Sequence, residues 1–303
     1  MRWEDLPSSG NVEDRRSGGG GFGGGMIPGG AGGLGIGGMV VLGLIGWALG
    51  IDPSVLIGGA EMLNRGGSQY QQQQPSSPAP AGPPADQMGR FVDKVLGSAD
   101  QQWKDIFQQA GARYRPPKLV MFRDYTNSGC GDAQSAMGPF YCPTDQKIYL
   151  DTSFFRQIEQ RFRGCSGKAC QFAQAYVIAH EVGHHVQNQL GILSKVQQAK
   201  QGVSNKAQAN LLQVRTELQA DCFAGVWAKY SDQKWNVLEP GDVDAALQTA
   251  SAIGDDTLQR QAQGRVVPDS FTHGSAEQRQ RWFTRGLKDG TVQSCNTFQA
   301  TQL

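Results

Sequence analysis

The amino-acid sequence predicts an α+β domain with a small sheet in its first half and a predominantly helical second half. A short apolar strand at residues 119–122 and a hairpin over residues 141–150 predict the sheet. After residue 170, long segments without proline place apolar side chains at helical spacing. Before residue 88, residues 17–38 are mostly glycine and residues 66–87 are polar and rich in proline. The folded domain is therefore expected to cover residues 88–303.

The chain before this domain is predicted to contain a tail and a membrane-spanning helix. Residues 1–33 are expected to form a disordered, glycine-rich cytoplasmic tail, because a run of glycines cannot bury a core. Residues 34–57 are expected to form a single transmembrane helix, since residues 34–51 carry no charge. Arginines precede this segment, so the positive-inside rule places the N-terminus in the cytoplasm and the domain outside. Its glycines match the spacing found in paired membrane helices, which predicts a homodimer through this helix.

A linker and six cysteines follow the predicted helix. Residues 58–87 are rich in glutamine and proline and are expected to be disordered. All six cysteines come after this linker, and an even set in a domain outside the cytoplasm predicts disulfides. The sequence alone does not determine their connectivity, and a cysteine-rich zinc site is the competing interpretation. The expected pairs are Cys130 with Cys142, Cys165 with Cys170, and Cys222 with Cys295.

The first half of the domain is predicted to alternate helices with the strands of the sheet. Two helices are expected at residues 91–96 and 103–110, ahead of the first strand. The hairpin has its turn at residues 143–146. Asp151 or Thr152 then caps a further helix with an apolar face.

The most informative motif is His180-Glu181-Val182-Gly183-His184, within a predicted helix over residues 171–189. Two histidines four residues apart lie on one helix face, where both imidazoles can bind one zinc ion. Glu181 lies beside them, and a carboxylate there can take a proton from water near the metal. The alternative is a pair of hydrogen-bonded core histidines, which leaves Glu181 an unexplained charge on a mostly apolar helix.

A catalytic zinc site usually has three protein ligands, and the third must come from elsewhere in the chain. The arrangement that ends in a third histidine is excluded, because Gln187 and Leu190 occupy its glycine and histidine positions. Glu217 and Asp221 are four residues apart on a second predicted helix. Glu217 is the predicted ligand, and Asp221 is predicted to accept the ring N–H of His180. The alternative is a solvated pair of acids, but the residues after Asp221 are too apolar for an exposed helix.

The fourth histidine, His273, precedes a helix that is predicted to begin with a capping box of Ser275 and Gln278. A histidine in that position can donate a hydrogen bond to the oxyanion of a tetrahedral intermediate. Arg279 is expected to hold either His273 or a neighbouring carboxylate in place. The alternative is a loop histidine with a structural hydrogen bond.

Together, the two helical motifs and the segment around His273 resemble those of the glutamate-zincins. The segment around His273 is most similar to that of the membrane peptidases related to prenyl-protein proteases, which have proline where this chain has Gly274. The chain as far as Cys295 resembles the neutral zinc metallopeptidase family of bacterial membrane proteins. The resemblance implies a zincin-like domain at the bacterial inner membrane.

The resemblance also implies the contents of the site. One Zn²⁺ per chain would be bound by His180, His184 and Glu217. Glu181 would act as general base. Asp221 would accept a hydrogen bond from the ligand His180, and His273 would stabilise the transition state.

The expected function is therefore that of a membrane-anchored zinc metallopeptidase, an endopeptidase acting on a peptide or protein substrate. Three alternatives remain at this point: a zinc-stabilised binding module, an inactive descendant that binds peptides in protein quality control, and a zinc amidase acting on cell-wall peptides. The net charge of +1, without a basic run interleaved with aromatic residues, argues against a nucleic-acid partner.

Overall fold

The computed structural model describes residues 1–16, 84–160, 165 and 167–303. The strands are β1 (Val12–Asp14), β2 (Lys118–Phe122), β3 (Tyr125–Ser128), β4 (Gly131–Gln134), β5 (Phe140–Cys142) and β6 (Lys147–Asp151). The helices are α1 (Gln87–Gln109), α2 (Ser153–Gln160), α3 (Cys170–Gln189), α4 (Ile192–Gln201), α5 (Lys206–Trp235), α6 (Asp242–Ala252), α7 (Asp255–Gln263) and α8 (Ala276–Asp289). The fold is α+β and mostly helical, as the sequence predicts.

The small sheet contains four strands in the order β1-β2-β6-β5, and β3 and β4 form a separate hairpin. Strands β1, β2 and β6 run parallel, whereas β5 is antiparallel to β6. The predicted hairpin is confirmed, with Tyr141 opposite Ile148 and Cys142 opposite Lys147. The predicted cap of the next helix is also confirmed, because the Asp151 carboxylate accepts the backbone N–H of Ser153 at 2.7 Å.

The two helices predicted at residues 91–96 and 103–110 are one continuous helix, α1. Gly97 directly follows the first of the two predicted helices. In the structure it lies inside α1, at the point where the N-terminal segment crosses the helix. A Cβ atom at Gly97 would lie 2.2 Å from the carbonyl oxygen of Pro7. Only glycine, which has no side chain, leaves room for the Pro7 backbone here, and α1 continues without interruption.

Residues 1–16 belong to the folded domain. Trp3 and Leu6 are 5% and 1% exposed in the hydrophobic core, and β1 pairs with β2 along its whole length. The prediction of a disordered tail over residues 1–33 is therefore wrong for residues 1–16. A strand of three residues has too short a pattern to be found by periodicity, and its stability comes from packing against a distant part of the chain.

The predicted transmembrane helix, residues 34–57, lies outside the described residues, as does most of the predicted linker. Among the residues that the structure describes, no helix is long and apolar enough to cross a membrane. Because β1 and β2 share one sheet, residues 1–16 and the domain lie on the same side of any membrane. This fold is therefore incompatible with a topology that keeps the N-terminus in the cytoplasm and places the domain outside.

The helical half is built around α3 and α5, which pack against each other, and α8 packs against α5. Both helices that carry the predicted ligands are present, as α3 and α5. The Trp227 indole on α5 stacks on Phe172 of α3 with ring centroids 5.9 Å apart, and its N–H donates to the Ser98 hydroxyl on α1. These contacts hold three helices around one core.

Disulfides join the cysteines in the expected pairs, Cys130–Cys142, Cys165–Cys170 and Cys222–Cys295. No cysteine is left over for a cysteine-rich zinc site. The bond between Cys222 and Cys295 closes the longest loop and ties the C-terminal segment to α5. We expect it to restrict the unfolded chain most.

Trp3→Ala is expected to lower the free energy of unfolding by about 3–5 kcal/mol, because it removes a buried indole that packs edge-on against Phe91. Urea unfolding of the full chain measures this loss. Trp235→Ala is the matched control, since Trp235 lies partly exposed at the end of α5 and should cost less. Equal losses in the two variants would contradict an integral role for residues 1–16.

Candidate metal centre

Helix α3 places His180, Glu181 and His184 on consecutive turns in the interior of the protein. His180 and Glu181 are 7% and 6% exposed. The Nε2 atoms of His180 and His184 lie 3.1 Å apart, because residues four apart share a helix face. Both imidazoles therefore point at one small volume.

Helix α5 brings Glu217 to the same volume. Its Oε2 lies 3.2 Å from Nε2 of His180 and 3.3 Å from Nε2 of His184. The helices approach closely here because Gly183 faces Ala220, where a Cβ on the glycine would lie 3.1 Å from the Ala220 backbone. A larger side chain at position 183 would push the two helices apart.

The three ligand atoms fit a zinc ion. Four ligands placed tetrahedrally at zinc's usual bond lengths stand roughly 3.3 Å apart. The distances among the two Nε2 atoms and Oε2 of Glu217 match this spacing, and two imidazoles with one carboxylate form a donor set that zinc prefers. The structure thus brings together the three side chains predicted to bind the metal.

The other ring nitrogen of each histidine faces an acceptor. Nδ1 of His180 lies 2.8 Å from the Asp221 carboxylate, as predicted, and Nδ1 of His184 lies 2.9 Å from Oε1 of Gln187. With Nδ1 of each ring donating, Nε2 carries the lone pair that a metal needs.

Asp221 is itself held by a buried network. The Arg279 guanidinium donates to both carboxylate oxygens, at 2.9 and 3.0 Å, and the Tyr176 hydroxyl donates at 2.5 Å. Of the two targets expected for Arg279, His273 or a neighbouring carboxylate, the structure shows the carboxylate of Asp221. A two-point bond from arginine fixes the plane of the carboxylate, and through it the plane of the His180 ring.

The charges in the cluster shift the pKa values of its members strongly. Burial alone would lower the pKa of His180, but Asp221 and Glu217 outweigh it and raise the pKa to about 10. The negative charge of Glu217 likewise outweighs burial at His184 and raises its pKa. Burial would raise the pKa of Glu217, yet the two histidines hold it well below its usual value. A zinc ion that binds here displaces protons from the rings, so zinc binding strengthens as pH rises.

Glu181 has the properties of a proton acceptor next to the ligands. Burial raises the pKa of its carboxyl, against the opposing effect of His184 and His180. A carboxylate whose pKa lies above its ordinary value is a better base near neutral pH.

The loop that carries His273 packs beside the third ligand. A Cβ atom at its Gly274 would lie 3.1 Å from the Leu218 side chain and 3.4 Å from that of Val214, both on the helix that carries Glu217. The charge of His273 helps to lower the pKa of Glu217. The buried Asp255 carboxylate accepts the backbone N–H groups of residues 272, 273 and 274 at 2.7, 2.6 and 3.1 Å. Its other oxygen lies 3.4 Å from Nδ1 of His273.

Sequence reasoning missed Tyr176, Gln187 and Asp255. The spacing of Tyr176, one helical turn before His180, could have placed it on the ligand face. The sequence gives Gln187 no role beyond occupying the glycine position of the third-histidine motif. Asp255 is a generic acid at the start of a helix, and no pattern in the chain connects it with His273.

Asp221→Ala is expected to weaken zinc binding by about 10–100-fold, because the His180 ring loses its acceptor. The same change leaves the Arg279 guanidinium buried without its partner, which should cost about 3–5 kcal/mol of stability. Chelator competition and urea unfolding measure the two effects.

Asp151→Ala is the control for this prediction, since the buried Asp151 carboxylate accepts the backbone N–H groups of Asp124 and Ser153 and not that of a histidine ring. It should reduce stability and leave the zinc affinity of the folded protein unchanged. Equal zinc affinities for Asp221→Ala and wild type would contradict the assigned role.

Two histidines, a carboxylate and an adjacent glutamate define the class of site found in zinc hydrolases. The chain matches the model of the family described as "Putative neutral zinc metallopeptidase" over residues 1–298, and it belongs to that family.

Relatives in Escherichia coli and Mycobacterium tuberculosis match two thirds or more of the chain. It is 47% identical over 302 residues to "Uncharacterized protein YpfJ" of Escherichia coli (strain K12), covering 98% of this chain and 99% of that protein. It is 45% identical over 215 residues to "Uncharacterized protein Rv2575" of Mycobacterium tuberculosis (strain ATCC 25618 / H37Rv), covering 68% of this chain and 69% of that protein. No solved structure matches the chain.

Proposed function

We propose that this protein is a zinc-dependent peptidase with a zincin-like domain, and that Glu181 is its general base. The observation that carries the proposal is the convergence of His180, His184 and Glu217 on one point, with Glu181 on the same turn of α3. A site that only stabilised the fold would have no use for a buried carboxylate beside the ligands.

When bound, zinc would lower the pKa of a water molecule and polarise a substrate carbonyl. Glu181 takes the proton of the attacking water and returns it to the nitrogen of the leaving amine. The surrounding hydrogen bonds keep both imidazoles in the tautomer that leaves Nε2 as the ligand. The fold therefore orients the two imidazoles before substrate arrives.

His273 is proposed to donate a hydrogen bond to the substrate oxygen that becomes negative in the transition state. Its position beside Glu217 and the contact of its Nδ1 with Asp255 support this role. Strand β5, which begins at Phe140, is an edge strand next to α3 and can pair with an extended peptide.

We propose that the described part of the chain lies outside the cytoplasm, at the bacterial inner membrane. The three disulfides support this location, since such bonds persist in oxidising compartments. The apolar segment at residues 34–57 is the proposed membrane anchor. Because residues 1–16 and the domain share one sheet, this segment would enter the membrane from their side without crossing it. The proposed partner is a peptide or protein substrate.

A peptide library tests the activity. The full chain, loaded with zinc, is incubated with peptides of varied sequence, and the products are identified by mass spectrometry. We expect cleavage at internal peptide bonds that stops on chelation and returns with zinc. A zinc-loaded protein that cleaves none of the peptides would contradict the proposed function.

A further inference from the structure

Behind His184 lies a second buried network, which runs through two glutamines to the C-terminal segment. Gln187, which is 0% exposed, accepts from Nδ1 of His184 through Oε1 and donates through Nε2 to the carbonyl oxygen of Thr216 at 2.7 Å. A carbonyl oxygen can only accept, so the NH₂ group of Gln187 must face it. Oε1 is thereby fixed towards His184, and the ring can only donate to it.

A second glutamine extends this network. Nε2 of Gln187 also donates to Oε1 of Gln219 at 3.0 Å, and Nε2 of Gln219 donates to the carbonyl oxygen of Cys295 at 3.0 Å. This carbonyl again can only accept, so the orientation of Gln219 is fixed as well. Every hydrogen bond from Cys295 to His184 therefore has one allowed direction.

The far end of the network is anchored covalently. Cys295 is bonded to Cys222, the residue that follows Asp221 on α5. The same stretch of α5 thus holds the acceptor of the His180 ring and the anchor of the His184 network. The C-terminal segment around Cys295 has further ties to α5, because the Thr297 hydroxyl donates to the carbonyl oxygen of Arg215 at 2.6 Å.

We propose that Gln187 and Gln219 are positioning residues that connect the Cys222–Cys295 disulfide to His184 and set the tautomer and orientation of this zinc ligand. The inference rests on the metal centre of the proposed function. Gln187 acts directly on His184, whereas Gln219 and the C-terminal segment act only through Gln187. The C-terminal segment is therefore part of the metal site although it supplies no ligand.

The test is the zinc affinity of the full chain, measured by chelator competition at one pH. Gln187→Met keeps the size of the side chain and removes its acceptor, and it should weaken binding by about 10–100-fold. Gln219→Met should weaken binding less, because the Thr216 carbonyl still orients Gln187. Gln189→Met is the matched control on the same helix, since Gln189 contacts His185 and the Arg115 carbonyl instead of a ligand. Thermal unfolding of each zinc-free variant checks that it is folded.

The double variant Gln187→Met/Gln219→Met distinguishes the network from two independent packing effects. If Gln219 acts through Gln187, the double variant binds zinc no more weakly than Gln187→Met alone. Fully additive losses would overturn the proposal, as would a Gln187→Met protein whose zinc affinity equals that of Gln189→Met.

This result is separate from the fate of the proposed function. Zinc affinity is read without any substrate, so a wild type that binds zinc and cleaves no peptide would contradict the peptidase and leave the network intact. A wild type that cleaves peptides, with a Gln187→Met affinity unchanged from wild type, would contradict the network and leave the peptidase intact.

Discussion

Glu181→Gln is expected to lower kcat/KM for peptide cleavage by about 10²–10⁴-fold, the contribution usual for general acid–base catalysis. The amide has the shape of the carboxylate but cannot take a proton from water. Glu181 lies outside the three-atom cluster of ligands, so the variant should keep its zinc. Initial rates on the best library peptide and metal content by mass spectrometry measure both quantities on one preparation.

The control for this prediction is Glu277→Gln, the same chemical change on an exposed side chain at the start of α8. It should leave both the rate and the zinc content at the wild-type value. A Glu181→Gln protein that cleaves as fast as wild type would exclude Glu181 as the base. A slow Glu181→Gln protein that has also lost its zinc would instead assign the residue to the metal.

Glu217→Ala is expected to lower zinc affinity by more than about 100-fold. Loss of a residue that only hydrogen-bonds to a ligand costs about 10–100-fold, and this change removes a ligand itself. It also removes the only acid that contacts Nε2 of both histidines among the described residues. The imidazolium forms of His180 and His184 then lose a partner, so their pKa values should fall. Zinc content after dialysis against a weak chelator measures the loss.

Gln213→Ala is the control for Glu217→Ala. The Gln213 amide donates to Oε1 of Glu217 at 2.8 Å, the oxygen that faces away from the histidines. Its removal should weaken zinc binding by less than the loss of the ligand itself. Zinc retained in full by Glu217→Ala would mean that the third ligand is another residue.

The metal cluster could be predicted from the sequence because its spacing is local. Two histidines four apart, and an acid pair four apart, each occupy one face of one helix, and burial of the surrounding residues decides which face is inside. What the sequence could not supply is the pairing of α3 with α5, which depends on the fit of Gly183 against Ala220.

The supporting residues could not be predicted in the same way. Gln187, Gln219 and Asp255 are common polar residue types, and their roles depend on distances between elements that are far apart in the chain. The sequence leaves two targets for Arg279, His273 or a neighbouring carboxylate. The packing of α5 against α8 brings Arg279 to the Asp221 carboxylate.

The N-terminal segment is the part of the fold that sequence reasoning misjudged. Glycine runs and charged residues near the start are typical of a disordered tail, and strand β1 is only three residues long. Its order comes from long-range burial of Trp3 and Leu6 and from pairing with β2, neither of which local composition reports. An experiment that begins the chain at residue 88 would remove this strand, so each measurement above uses the full chain.

Anomalous X-ray diffraction at the zinc edge, from crystals of the zinc-loaded full chain, tests the central claim most directly. We expect one strong peak within about 2.0–2.2 Å of Nε2 of His180, Nε2 of His184 and a carboxylate oxygen of Glu217. A zinc peak at any other set of side chains, or zinc-loaded crystals with no peak among these three, would contradict the assigned metal site.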